Sequence, residues 1–219
     1  AEMTNLGMPV PPGFTINTKV CTHYMQTNTY PKNLEKELSV NMKKIENIID
    51  QKFGDSINPL LVSIRSGARE SMPGMMETIL NVGLTSDTIP GLIKKSGDER
   101  FVYDAYRRLL TMYADVVMTK DIKIELEPAD NIRLKLDRLV ETMKDRYGLK
   151  SDADLSVSHL KDLCQSFKST IKESTGEVFP DNPYQQLWNG ITAVFKSWDG
   201  SRALNYRKIE NIPNDWGTA

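Results

Sequence analysis

The chain has 219 residues, with 28 Lys and Arg against 29 Asp and Glu for a formal net charge of −1, and 39% of it is hydrophobic. That length supports a core that folds without staples, and the charge balance argues against a polybasic nucleic-acid or membrane binder while leaving room for a local basic site. No apolar run approaches the ~18–20 residues of a membrane span, and two cysteines, Cys21 and Cys164, are too few for a disulfide framework or a cysteine-rich zinc site, pointing to a reduced, intracellular protein.

The opening residues Ala1–Asn5 have neither the basic start nor the apolar stretch of a signal peptide. The missing initiator methionine implies a processed chain or one cut from something longer. Leu6 to Ile16 contains Pro9, Pro11 and Pro12, which predict an extended entry segment, with Phe14–Ile16 alternating as a short strand does. Thr18 is placed to cap a short helix carrying Val20, Cys21, Tyr24 and Met25 on one face. From Pro31 to Phe53, Leu34, Leu38, Met42, Ile45 and Ile49 recur at helical spacing with Lys and Glu between them, an amphipathic helix. Leu60–Ile64 is a short β-favouring run between Asn58-Pro59 and Ser66-Gly67 and predicts a buried strand. The first 84 residues therefore predict an α/β unit.

Beyond Thr85 the pattern turns helical. Ser96 and Glu99 have capping-box spacing ahead of the stripe Val102, Tyr106, Leu109, Tyr113 and Val116. A second helix, 131–146, carries Ile132, Leu136, Leu139 and Met143 and ends near Gly148. A third, 157–173, carries Leu160, Leu163, Phe167 and Ile171 and stops at Gly176. These predict a helical subdomain over 85–178. The remainder, 179–219, is read as a return segment, with one helix or two short ones across Tyr184–Tyr206.

No G-x-x-x-x-G-K-[ST], G-x-G-x-x-G, H-E-x-x-H or C-x-x-C motif occurs. The two histidines, His23 and His159, have polar neighbours and read as surface residues without a role. Chemistry concentrates in the segment Val62 to Thr78. A strand ending in Arg65 sets a guanidinium at a sheet's carboxyl edge, where α/β ligand crevices open. Ser66, Gly67 and Ala68 are small enough for backbone N–H groups to approach an anion. Arg69, four residues on, can close on the same phosphates with bidentate donors. Pro73-Gly74 predicts a tight turn, and Met72, Met75 and Met76 supply a soft wall for a planar base. The competing reading is a strand, a polar turn and two arginines paired to Glu70 and Glu77; the pattern alone leans that way. Arg107-Arg108 poses the same choice. Asp104, one turn before Arg108, accounts for it as an ion pair of about 0.3–0.5 kcal/mol, against a second cationic arm reaching phosphate.

The stretch Ile64-Arg-Ser-Gly-Ala-Arg-Glu-Ser-Met-Pro-Gly-Met-Met-Glu-Thr-Ile-Leu-Asn resembles the nucleotide-binding domain of the pyruvate, phosphate dikinases. So do Leu6 to Ile16, Arg100 to Arg108, Ala193 to Trp198 and Ile212 to Ala219. The resemblance covers essentially the whole chain and is least marked over 119–178. It implies an α+β, helix-rich chain: part of an ATP-grasp nucleotide-binding domain with an inserted helical subdomain. The implied reaction interconverts ATP, phosphate and pyruvate with AMP, pyrophosphate and phosphoenolpyruvate, using Mg2+ and a phosphohistidine on another domain. Residue by residue, Arg65 and Arg108 match triphosphate-binding arginines, Met76 matches a residue beside the base, and Arg69 belongs to the motif without a role carried over. The family's Gly-Gly-Lys-Gly lysine is expected upstream of Ala1 and its acidic metal ligands beyond Ala219, so this chain carries about half of the site and no catalytic residue, and by itself is expected to be inactive. A cytoplasmic or organellar, homodimeric parent enzyme is implied, with no nucleic-acid or membrane partner. Two rival readings stand beside it: a related dikinase with another acceptor, and a non-catalytic binding or regulatory module.

Overall fold

The computed structural model describes residues 2–119 and 131–219. Residues 120–130, inside the predicted helical subdomain, lie outside the described part. After a one-turn helix α1 (Glu2–Asn5) the chain runs without regular structure to Asn17, as the prolines dictate. Phe14–Ile16 belongs to this irregular run and is not the predicted strand. Helix α2 (Thr18–Thr27) is capped by Asn17, whose side chain accepts from the Val20 N–H at 3.3 Å. The residue before Thr18 is thus the cap, because an Asx side chain in the extended region reaches the free N–H groups.

Helix α3 (Leu34–Ile49) buries Leu34, Leu38, Met42 and Ile45 and is capped by Asp50 in the left-handed region, four residues short of the predicted end. Two short strands follow, β1 (Lys52–Phe53) and β2 (Pro59–Leu60), paired in parallel. Strand β3 (Val62–Arg65) pairs antiparallel with β4 (Thr78–Val82). The register spends one residue between Val62 and Ile64 against two between Val82 and Ile79, and Asn81, at φ 59°, sits in this bulge. The predicted buried strand is therefore half-buried: β3 alternates intermediate and exposed residues, while Ile79 and Val82 of β4 are fully buried. Among the described residues the sheets hold two strands each, so Arg65 ends a hairpin arm and not a strand of a parallel sheet.

Helices α4 (Ile89–Ser96) and α5 (Glu99–Tyr113) come next, α5 running into a π-helical turn, Ala114–Met118. The cap of α5 is Asp98, whose carboxylate accepts from the Phe101 N–H at 2.9 Å. The Ser96 hydroxyl instead accepts from the Asp98 N–H, because α4, unforeseen in the sequence, already occupies Ser96. Helices α6 (Ile132–Tyr147) and α7 (Val157–Thr175) end at left-handed Gly148 and Gly176 as predicted. His159 is half-buried and caps α7: its Nδ1 accepts from the Ser156 N–H, and its ring lies 4.3 Å from that of Tyr147. The aromatic tail forms two helices, α8 (Pro183–Ser197) and α9 (Ser201–Ile209).

One apolar cluster runs from Cys21 of α2 through Ile79 and Val82 of β4 and the buried faces of α5, α6 and α7 to Phe195 of α8. Helix α8 crosses the hairpin at Gly190, where a Cβ would stand 2.5 Å from Ile64 Cδ1 and 3.2 Å from Ile79 Cδ1. A smaller cluster of Met72, Trp198, Ala203 and Ile212 lies beneath the β3–β4 loop.

Candidate functional site

The hairpin delivers Arg65 at the end of β3, and Arg69 and Met76 on the twelve-residue connection from there to β4. Arg65 is the last residue of β3, opposite Thr78; its exposed side chain has, among the described contacts, no hydrogen-bond or ion-pair partner. Among the described contacts these arginines are not paired with Glu70 or Glu77. Glu77 takes Arg202 of α9 at 2.8 Å, and the Arg69 guanidinium lies 5.2 Å from the centre of the Trp216 ring.

Gly67 does not offer its N–H to solvent. Gly67 and Ala219 exchange both backbone hydrogen bonds, at 2.8 and 2.7 Å, the pattern of a closely bonded antiparallel pair. The buried Thr218 hydroxyl adds a third bond, donating to the Gly67 carbonyl at 3.0 Å. Gly217 lets the chain enter this seat. Its φ is 70°, and a Cβ there would stand 2.9 Å from Thr22 Cγ2 of α2, so both conformation and space exclude a side chain. Beside it, burial raises the Cys21 thiol above its ordinary pKa, and a hydrogen bond with the Thr218 backbone draws it the other way.

The far side of the loop is fastened as well. Met75 N–H closes a turn onto the Met72 carbonyl at 3.2 Å, with Pro73 second and Gly74, φ 71°, third, as the Pro-Gly dipeptide predicts. The methionines do not stand as a free wall: Met72 is buried on Trp198, Ala203 and Ile212, and Met75 and Met76 are half-buried against the same cluster. Arg207 holds α9 and the 213–219 strap together. It is 1% exposed, it stacks 4.1 Å from the Trp198 ring centre, and it donates to the Trp198 carbonyl and, at 3.2 and 3.0 Å, to Asn214 Oδ1. The sequence pattern gave no sign of a buried arginine here, although Trp216 and Thr218 belong to a stretch that stood out.

Arg108 is set apart from the loop. Its side chain on α5 is 67% exposed and its Nε reaches Asp104 Oδ2 at 2.9 Å, the ion pair that spacing predicts. The other carboxylate oxygen holds Arg107 at 2.8 Å, and Arg107, 9% exposed, also reaches Asp152 at 3.1 Å. No described contact joins Arg108 to Arg65, Arg69 or Met76. Two shallow depressions, of about 400 and 480 Å³, are lined from α2 and α3 and from the α3–β2 region, and neither includes any of these four residues. The arrangement is thus an open cationic face on a fastened loop, able to donate to anionic oxygens.

A family model described as pyruvate phosphate dikinase, AMP/ATP-binding domain, matches residues 27–219. The pyruvate, phosphate dikinase of Clostridium symbiosum is 44% identical over 221 aligned positions, which cover 100% of this chain and 24% of that protein. The Giardia intestinalis protein of the same name is 42% identical, again over 100% of this chain and 24% of its own length. The chloroplastic pyruvate, phosphate dikinase 1 of Arabidopsis thaliana is 44% identical, covering 100% of this chain and 22% of that protein. The chain spans about a quarter of the length of the curated relatives it matches.

Proposed function

Because the chain belongs to the pyruvate phosphate dikinase AMP/ATP-binding domain family, we propose that it grips ATP for a dikinase converting ATP, phosphate and pyruvate to AMP, pyrophosphate and phosphoenolpyruvate. The phosphoryl group would pass to a histidine on another domain of the same enzyme, a homodimer of the cytoplasm or an organelle. The chain would form part of an ATP-grasp domain, in which 1–84 supplies α/β structure, 85–178 a helical subdomain and 179–219 the return. Phosphoryl transfer asks a protein mainly for positioning and charge stabilisation, which suits arginines on a fastened loop.

The observation that carries this reading is Arg65: an exposed guanidinium at the end of β3 with no anionic partner among the described contacts, beside a loop anchored at Gly67, Met72 and Glu77. Its fork of N–H donors matches phosphate oxygens bidentately. Arg69 would add a second fork and Met76 an apolar edge for the base. Arg108 would exchange Asp104 for phosphate. Among the described residues no three His, Cys, Asp or Glu side chains converge on one point; Mg2+ arriving with the nucleotide would take its acidic ligands from outside this chain, and the chain's own residues act by binding and orienting the phosphates.

The test is an NMR-monitored titration of the 219-residue chain with ATP and with AMP. On so open a face ATP binds with a Kd on the order of millimolar, at least about tenfold tighter than AMP, because the guanidinium forks engage the added phosphates. Arg65→Ala erases that difference and moves the thermal midpoint by only a few degrees, as exposed substitutions do. An ATP preference that survives Arg65→Ala overturns the assignment.

A further inference from the structure

Arg69 is an exposed side chain, and among the described contacts its guanidinium meets an indole ring and not a carboxylate. The difference matters for a cation meant to bind something else. A carboxylate occupies the in-plane N–H donors of a guanidinium, whereas a ring engages its face and leaves those donors for a second partner.

The ring is itself held from several sides. Trp216 is half-buried against the cluster of Met72, Trp198, Ala203 and Ile212. Two residues earlier, Asn214 receives Arg207 on its side chain, and its carbonyl accepts from Trp198 Nε1 at 3.0 Å. Two and three residues later, Thr218 and Ala219 are bonded to Gly67. The strap therefore meets the loop at the Gly67 backbone and, two residues on, at the Arg69 side chain, besides sharing the Met72 cluster with it.

We propose that Trp216 is a positioning residue for polyphosphate recognition: it holds the Arg69 guanidinium by its face so that the N–H edge is presented beside Arg65. This rests on the reading of the loop as the phosphate-gripping element. The partner chemistry is a chain of phosphates, and a monophosphate, engaging one fork at a time, gains little from the added order.

The experiment is a double-mutant cycle on the 219-residue chain, with ATP, AMP and inorganic tripolyphosphate as probes. Trp216→Leu weakens ATP and tripolyphosphate about threefold to fivefold, the scale of an exposed cation–π contact, and leaves AMP within about twofold. Trp216→Phe, which keeps a ring, recovers most of the loss. In an Arg69→Ala background, Trp216→Leu has no further effect, which a merely structural role for the ring does not produce. An equal loss in that background shows that the ring acts through packing and overturns the proposal. So does an ATP affinity lowered by Arg69→Ala but untouched by Trp216→Leu. If Arg69→Ala binds ATP like the parent chain, the reading of the loop falls together with the proposal. One measurement needs no variant: the Arg69 Nε–Hε resonance is displaced by the indole ring current and moves on adding tripolyphosphate. A free-arginine position in the unliganded chain also overturns the proposal.

Discussion

Arg107 and Arg108 are consecutive and share the Asp104 carboxylate, yet burial gives them different weights. Arg107 is 9% exposed and touches two carboxylates, so Arg107→Ala leaves Asp104 under-satisfied and costs about 1–3 kcal/mol in urea denaturation. Arg108→Lys changes stability by less than about 0.5 kcal/mol, since its pair is 67% exposed on the arginine side. If Arg108 serves the triphosphate, the same substitution weakens ATP binding by about tenfold, because a point charge cannot replace a planar fork; unchanged binding makes it a helix-surface cation. Asp104 keeps Arg107 when Arg108 leaves, which makes release cheap. A second residue-scale expectation concerns alkali. Burial pushes the Cys164 thiol up to about 12 from its ordinary 9.0. The unfolded thiol therefore loses its proton near pH 9 while the folded one keeps it, and stability falls between pH 9 and 12 by up to about 1.4 kcal/mol per pH unit. Cys164→Ala flattens part of that fall in denaturation series at successive pH values; an unaltered slope assigns the whole fall to the other groups raised by burial, Cys21, Tyr30, Tyr106, Tyr113 and Tyr184.

At the scale of elements, the hairpin is located by α8. The closeness of Gly190 to Ile64 and Ile79 means that Gly190→Ala gains about 1 kcal/mol of helix propensity but overpacks the crossing by about 1–3 kcal/mol. The net expectation in thermal or urea melts is a loss of up to about 2 kcal/mol. Ile64→Val removes the Cδ1 that the new methyl meets, so the double variant Gly190→Ala/Ile64→Val recovers most of that loss; simple addition of the two single costs refutes the steric account. Periodicity made the helices legible: the stripes of α3, α5, α6 and α7 and the glycine stops at 148 and 176 stand where the spacing put them. The strands were less so. A five-residue apolar run reads alike in a buried strand and in a hairpin arm, and only the bulge at Asn81 and the antiparallel partner distinguish them. Capping was misplaced by one or two residues at Thr18 and Ser96, since several side chains near each helix start can accept a hydrogen bond and geometry chooses among them.

Across the whole molecule, residues on either side of positions 84 and 178 share a single apolar cluster, a property that no local pattern carries. The candidate site shows the same limit. Arg65, Arg69, the Pro73-Gly74 turn and the Asp104–Arg108 pair could be picked out from short-range spacing, whereas Gly67 with Ala219, Arg69 with Trp216 and Arg207 with Asn214 join segments whose meeting depends on the complete fold. That dependence has a temporal side. Thr218 and Gly67 bond across a separation of 151 residues, a long closure, and closure entropy delays such pairings until the local helices and their packing have shortened the search. On a ribosome the strap emerges well after the loop it fastens, so the arginine-bearing loop, although made early, cannot take its final shape until the strap has joined it.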